Sequence, residues 1–460
     1  MADSAIHSIN PATEEVLQTF APATTAEIEA ALSGAAATYR EWRATSFAHR
    51  GSLMRKAAQY LRRHRSRLAG VITAEMGKPI VEAEAEVEKC AWNCEFYANN
   101  AARFLADEPQ PSSATESYVA FPPLGTVLAI MPWNFPFWQL FRFAAPALMA
   151  GNTAILKHAS NVPQCALAIE EVFAASGFPE GAFRNLLISG ATASRLIADP
   201  RIVAVTLTGS DEAGRRVGEA AGRAIKKVVL ELGGSDPFIV LADADVAAAV
   251  DTAVRARFQN TGQSCIAAKR VIVEAPVFAE FEARFVAAVR ALQIGDPLRR
   301  TTQIGPLARD DLRDGLEQQV RASVARGARL LSGGARRAGR GYFFEPTVLS
   351  DVTPEMAAGC EETFGPVAAL LRARTADDAL ALANQSLYGL GANIWTSDLA
   401  RARRLARAIE AGQVFINGMV TSDPRLPFGG VKQSGYGREL AAFGIREFTN
   451  IQTVWIGPKR

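Results

Sequence analysis

The chain reads as an α/β protein built on two doubly wound parallel sheets, and three observations lead there. Short unbroken apolar runs such as Val127-Leu-Ala-Ile-Met131, ended by Pro132, recur along the middle of the sequence with room for a helix between them. Runs of this kind are typical of parallel strands buried on both faces. A second series starts after Pro237, near Phe238 to Leu241 and Arg270 to Val273. Finally, 460 residues exceed what one hydrophobic core usually holds, so two or three domains are expected.

Taken in order, the first hundred residues read as helices. One begins at Thr25-Ala-Glu-Ile-Glu-Ala-Ala-Leu32, and a second carries apolar residues at helical spacing from Arg50 to Leu68. A third spans Glu82 to Ala102, with Cys90 and Cys94 at i, i+4, where two thiols suit a core face better than a metal pair. Phe143 to Leu156, interrupted by Gly151-Asn152, reads as a buried helix and then a strand. The strand pattern repeats at Ala154-Ile-Leu156, Asn185-Leu-Leu-Ile-Ser189, Val203-Ala-Val-Thr-Leu207 and Val228-Val-Leu-Glu-Leu232. Long helices follow at Val277 to Leu292 and Leu312 to Gly327. Ala106 to Pro123 is poor in helix signals, and Phe448 to Ile456 looks like a strand.

Composition excludes several classes. Apolar residues make up 49% and charged residues 21%, as in ordinary soluble enzymes. A net charge of +3, with basic residues scattered among acids, gives no case for nucleic acid. The cluster Arg62-Arg-His-Arg-Ser-Arg67 reads as a solvated helix face. No apolar run reaches the roughly 18 residues of a membrane span, and Met1 to Asn10 lacks the regions of a signal peptide. Five widely spaced cysteines argue against a disulfide framework and for a reducing, cytoplasmic compartment. His7, His49, His64 and His158 show no metal-ligand spacing, so no metal is expected.

Chemistry points to Cys265, which ends the polar, glycine-containing window Asn260-Thr-Gly-Gln-Ser-Cys265. A thiol there is a candidate nucleophile. Glu231, in Glu231-Leu-Gly-Gly-Ser-Asp-Pro237, is a candidate base for activating water. Neither a Gly-x-Gly-x-x-Gly nor a phosphate-loop motif is present, so a dinucleotide needs another cradle. Thr208-Gly-Ser-Asp-Glu-Ala-Gly214 follows a strand, and Ser210 is a good N-cap for a helix whose free N–H groups suit a phosphate. Lys157 ends a strand, at the carboxyl edge where such sheets collect ligands.

These windows, with Pro132-Trp-Asn-Phe-Pro136, Lys157-His-Ala-Ser160 and Glu362-Thr-Phe-Gly-Pro366, resemble the motifs of the aldehyde dehydrogenase superfamily, in the same order. The resemblance runs from Ile9-Asn-Pro-Ala-Thr13 to Asn450-Ile-Gln-Thr-Val454, and within the superfamily it is strongest to the bacterial succinate-semialdehyde dehydrogenase group. It implies a dinucleotide-binding domain from 1–104 and 124–232, a catalytic domain at 233–440, and a small β oligomerisation element from 105–123 and 446–460. It implies a homodimer or homotetramer, an aldehyde substrate, and NAD or NADP as cofactor. Cys265 is then the nucleophile, Glu231 the base for hydrolysis, and Asn134 with the Cys265 N–H the oxyanion donors. Lys157 and Ser160 face the adenosine ribose, Gly209 and Ser210 the pyrophosphate, and Glu362 the nicotinamide ribose, with Trp133, Leu232 and Phe364 packing nearby. Three departures stand out. Leu207 replaces a usual Phe. Ser160 replaces the Glu of NAD-selective members, removing a charge that would repel a 2′-phosphate. Gln259 replaces an Arg before the Cys loop.

For a substrate bearing a carboxylate, the resemblance assigns Arg142 as receptor. Arg425, before Pro427-Phe-Gly-Gly430, is a candidate substitute for the missing second Arg, with Ser422 as a hydroxyl donor, and reads equally well as an exposed loop residue. Phe137, Trp138, Phe258 and Phe428 are candidate tunnel walls. The alternatives are another aldehyde (glutarate semialdehyde, aromatic or aliphatic) or a non-redox cysteine esterase.

Overall fold

The computed structural model describes residues 5–457; the outermost residues of the expected first and last units, 1–4 and 458–460, lie outside the described residues. Two sheets dominate. In the first, strands run in the order Gly435–Tyr436, Lys227–Glu231, Ile202–Thr208, Thr126–Met131, Thr153–His158, Phe183–Asn185. All pairings are parallel except that of Gly435–Tyr436, which returns from the far end of the chain. The second has seven strands, Arg329–Ser332, Thr347–Ser350, Val367–Ala373, Ala268–Glu274, Asp236–Val240, Gly391–Trp395 and Gln413–Ile416, parallel apart from the first. The two-sheet expectation holds. Thr126–Met131 is buried at nearly every residue, as its unbroken apolar run requires.

The amino-terminal hundred residues are not all helical. Ile6–Asn10 and Glu15–Phe20 form an antiparallel hairpin, mostly exposed and so without the apolar alternation that would announce it. The helix Thr25–Trp42 starts where expected, with Thr24 and Glu27 forming a reciprocal capping box. The helix expected over Arg50 to Leu68 is two, Phe47–Arg63 and Arg65–Met76, broken at His64. Leu61 and Leu68 are seven residues apart, a spacing that keeps helical phase, so periodicity reads straight through the break. Cys90 and Cys94, on the helix Ile80–Phe104, are fully buried in the core.

Of the strand signal Asn185–Ser189 only Asn185 is in a strand, which runs over Phe183–Asn185. Leu186 and Ile188 are buried in loop, and the Leu187 carbonyl accepts from Ala23 instead of a neighbouring strand. The tail strand Gln452–Ile456 pairs antiparallel with Glu116–Ala120, itself paired with Glu108–Pro109, giving a small three-stranded sheet within the chain. Among the described residues no helix is long and apolar enough to cross a membrane.

Candidate active site

Two helices and two loops build the site. The helix Pro136–Ala150 is buried throughout, and Asn134 sits just before it. Trp138 and Arg142, four residues apart, share one face of it. They border a cavity of about 510 Å³ that also contains Cys265, Ser422, Phe258, Gln259 and Phe428, with Glu82, Glu86 and Lys89 from the helix Ile80–Phe104. Phe137 does not line it; its ring stacks on Phe141 in the core.

Cys265 reaches this wall through a bend that its window makes unavoidable. The helix Val246–Phe258 ends, and Asn260, Thr261 and Gly262 follow at φ 56°, 56° and 73°. Left-handed backbone at a β-branched Thr is costly, so its neighbours must hold it. The Asn260 N–H donates to Glu82 at 2.7 Å, and its side chain donates to the carbonyls of Asn134 and Gln263 at 2.8 and 2.9 Å. Thr261 Oγ1 accepts from Gly305 at 3.0 Å. A Cβ on Gly262 would lie 2.3 Å from the Gly365 carbonyl oxygen, so only glycine fits. Asn134 Nδ2 donates to the Gln263 carbonyl at 3.1 Å, fixing the amide against this loop.

Two buried cations, neither anticipated from sequence, tie the loop to its surroundings. Arg257 donates to the carbonyls of Val367 (2.5 Å), Thr363 (2.8 Å), Gly262 (3.3 Å) and Gly365. Lys269 donates to the carbonyls of Ser264 and Cys265 at 2.9 and 2.7 Å and pairs with Glu362 at 3.2 Å. The Cys265 loop and the Glu362–Phe364 segment are therefore held as one unit. No sequence signal separates buried Arg257 from its exposed neighbour Arg255.

The electrostatics are set by burial. Burial pushes the half-buried Cys265 thiol up to about 12, with Arg142 and Lys269 opposing the rise. Glu231 ends the strand Lys227–Glu231, is 2% exposed, and neither of its oxygens accepts a hydrogen bond among the described residues. Burial raises it to about 8; Arg142 opposes this and Glu439 adds to it. Asn134 and Glu231 do not line the cavity that holds Cys265.

The expected carboxylate receptors need correction. Arg142 lies at the cavity but forms a buried ion pair with Glu439, and its guanidinium covers the Phe428 ring at 4.3 Å. A substrate anion there must share that charge with Glu439. Arg425 is 67% exposed, is bound to Asp423 through two contacts of 2.9 and 2.6 Å, and is absent from the cavity wall. Its neighbour two residues back answers its charge, which residue spacing to a family motif does not reveal. Ser422 is buried in the cavity as expected.

The expected nucleotide residues gather at one edge of the first sheet. Lys157 lies near the carboxyl end of Thr153–His158, and Gly209 with Ser210 and Leu232 follow Ile202–Thr208 and Lys227–Glu231 in the same sheet. Ser210 caps the helix Asp211–Arg223 by accepting from Ala213, and Gly214 packs against Leu232 so closely that a Cβ would lie 2.5 Å from its Cδ1. Lys157 is half-buried without an ion-pair partner among the described residues, and burial lowers its pKa. Ser160 is exposed beside it. Glu362 accepts from the Gly234 N–H at 3.0 Å, and the Trp133 and Phe364 rings meet edge to face at 5.6 Å. An unpaired cation and a capped helix N-terminus along one sheet edge, with the Glu362 carboxylate of the second sheet's loop held against Gly234, fit a dinucleotide.

A doubly wound scaffold with a cavity-facing thiol and this nucleotide edge is the arrangement of a nucleotide-dependent oxidoreductase. The family model for the aldehyde dehydrogenase family matches residues 1–454, and the chain belongs to that family, whose members oxidise aldehydes. It is 54% identical over 452 residues to the probable succinate-semialdehyde dehydrogenase [NADP(+)] of Synechocystis sp., covering 98% of this chain and 100% of that protein. It is 52% identical over 454 residues to succinate-semialdehyde dehydrogenase [NADP(+)] 1 of Mycobacterium tuberculosis, covering 98% and 99%. The crystal structure of succinic semialdehyde dehydrogenase from Streptococcus pyogenes with NADP+ superposes with a TM-score of 0.97 at 37% identity, over 99% of this chain and 100% of that one.

Replacing Arg257 with Met should strand the carbonyls it serves. Buried groups left unpaired cost on the order of 1–3 kcal/mol each, so the melting temperature should fall by about 5 °C or more. A melting temperature equal to wild type would show that the clamp is dispensable.

Proposed function

We propose that this protein oxidises succinate semialdehyde to succinate with NADP, and accepts NAD. The observation that carries the reading is one cavity holding both the Cys265 thiol and unpaired positive charge for an acidic substrate. The names of the relatives support the substrate and cofactor. The exposed Ser160, where a Glu would repel a 2′-phosphate, supports NADP.

In this mechanism Cys265 attacks the aldehyde carbon as thiolate, forming a thiohemiacetal. The Asn134 amide and the Cys265 N–H stabilise its oxyanion. Lys157, Ser160, Gly209, Ser210 and Glu362 would hold the dinucleotide, whose nicotinamide would accept the hydride that the thiohemiacetal must lose to become a thioester. Glu231 then takes a proton from the water that hydrolyses the Cys265 thioester. Its high pKa suits that work, because a base poised near the working pH transfers protons most effectively.

The same reading makes the protein a cytoplasmic homodimer or homotetramer. Exposed Ile451, Trp455 and Ile456 on and beside the tail strand offer apolar surface for a second copy.

Three measurements test it. Cys265→Ala should abolish aldehyde oxidation and any ester hydrolysis, since both need the covalent step; residual turnover above about a tenth of wild type excludes Cys265 as nucleophile. Glu231→Gln should slow steady-state turnover by about a hundredfold or more while a pre-steady-state burst of reduced cofactor persists. In the wild type the hydrolytic step should accelerate as pH rises through about 8, because the carboxylate form then accumulates, and this dependence should vanish in the variant. Loss of the burst would instead assign Glu231 to thiol activation. In Ser160→Glu the NADP KM should rise about tenfold or more, since a carboxylate facing a phosphate costs on the order of 1–3 kcal/mol, while NAD is retained. An unchanged NADP KM would place Ser160 away from the ribose.

A further inference from the structure

The hydrogen bonds around Ser422 are unusual in direction. Its Oγ accepts from Lys89 Nζ at 2.9 Å and from Trp138 Nε1 at 2.9 Å. Both lone pairs of the hydroxyl are thus engaged, which leaves its own O–H only as a donor. Among the described residues no group accepts that hydrogen, although Ser422 is buried. An oxygen from outside the chain is the partner it lacks.

The charges around it point the same way. Four cations line the cavity: Lys89, Arg142, Arg255 and Arg300. Arg142 is paired with Glu439 and Arg300 with Glu84, while Arg255 stands exposed. Lys89 is half-buried and has no ion-pair partner among the described residues. The acids near it are taken, Glu86 by Lys78 and Asp423 by Arg425. The Lys89 ammonium rests over the Trp138 ring at 4.3 Å, a contact that holds a cation in place without cancelling its charge.

We propose that Lys89, with the Ser422 hydroxyl it orders, is the receptor for the substrate's carboxylate, an inference that rests on the semialdehyde reading above. Lys89 is thereby the specificity residue of the cavity, and Arg142 supports it as a charge already compensated by Glu439. Burial lowers the Lys89 pKa to about 8, with Arg142 adding to the fall, so an anion bound beside it favours the ammonium form. The position sits on the helix Ile80–Phe104, far from every recognised motif, so sequence patterns did not mark it.

Wild type, Lys89→Met and Lys89→Arg are compared on succinate semialdehyde and butyraldehyde, which share chain length but not the carboxylate. Lys89→Met should raise the KM for the semialdehyde by about tenfold or more, the loss expected for one charge-assisted hydrogen bond, with a smaller change in kcat. The ratio of kcat/KM for the two aldehydes should fall by a similar factor, and Lys89→Arg should restore most of it. A wild-type ratio in Lys89→Met, or equal losses on both aldehydes, overturns the assignment of Lys89 alone. A wild type without preference for the semialdehyde overturns the substrate reading itself.

Discussion

Two buried cations, Arg257 and Lys269, are the contacts on which the site depends. Arg257 is fully buried and solvated by backbone carbonyls rather than by an acid, and burial lowers its pKa to about 9. A guanidinium suits this work because its fixed fork of donors can serve several carbonyls at once. Lys269 joins the Cys265 carbonyl to the Glu362 carboxylate. Flanking the left-handed bend that Asn260 and Thr261 hold through their own hydrogen bonds, these two groups fix its exit at Gly262, Ser264 and Cys265.

The same economy of charge governs the buried acids around the thiol and the cavity. Glu231, Glu82 and Asp236 are all raised by burial, and each lies within reach of a cation that only partly offsets it. A buried, mixed-charge interior raises both the thiol and the base and makes their protonation sensitive to what enters. Arg142 lowers Cys265 and Glu231 together while its own charge is shared with Glu439. One guanidinium thus couples nucleophile, base and cavity wall.

Much of the fold was legible because its strands are buried on both faces and so appear as unbroken apolar runs. Thr126–Met131, Ile202–Thr208 and Lys227–Glu231 fall where those runs lie. The hairpin Ile6–Asn10 with Glu15–Phe20 was not legible, since mostly exposed strands leave no such pattern. The break at His64 was hidden because Leu61 and Leu68 keep the same helical phase.

The sequence by itself determined the α/β class, the family, and the residues offered as nucleophile, base and nucleotide contacts, because each lies in a short window with a recognisable local form. Tertiary structure decided which charges are free. Arg425 is spent on Asp423, Arg142 on Glu439 and Arg300 on Glu84, whereas Lys89 is left open beside Ser422. A cation's availability depends on which acid the fold brings within about 4 Å of it. For Arg142 and Glu439, nearly three hundred positions apart, no local pattern carries that distance.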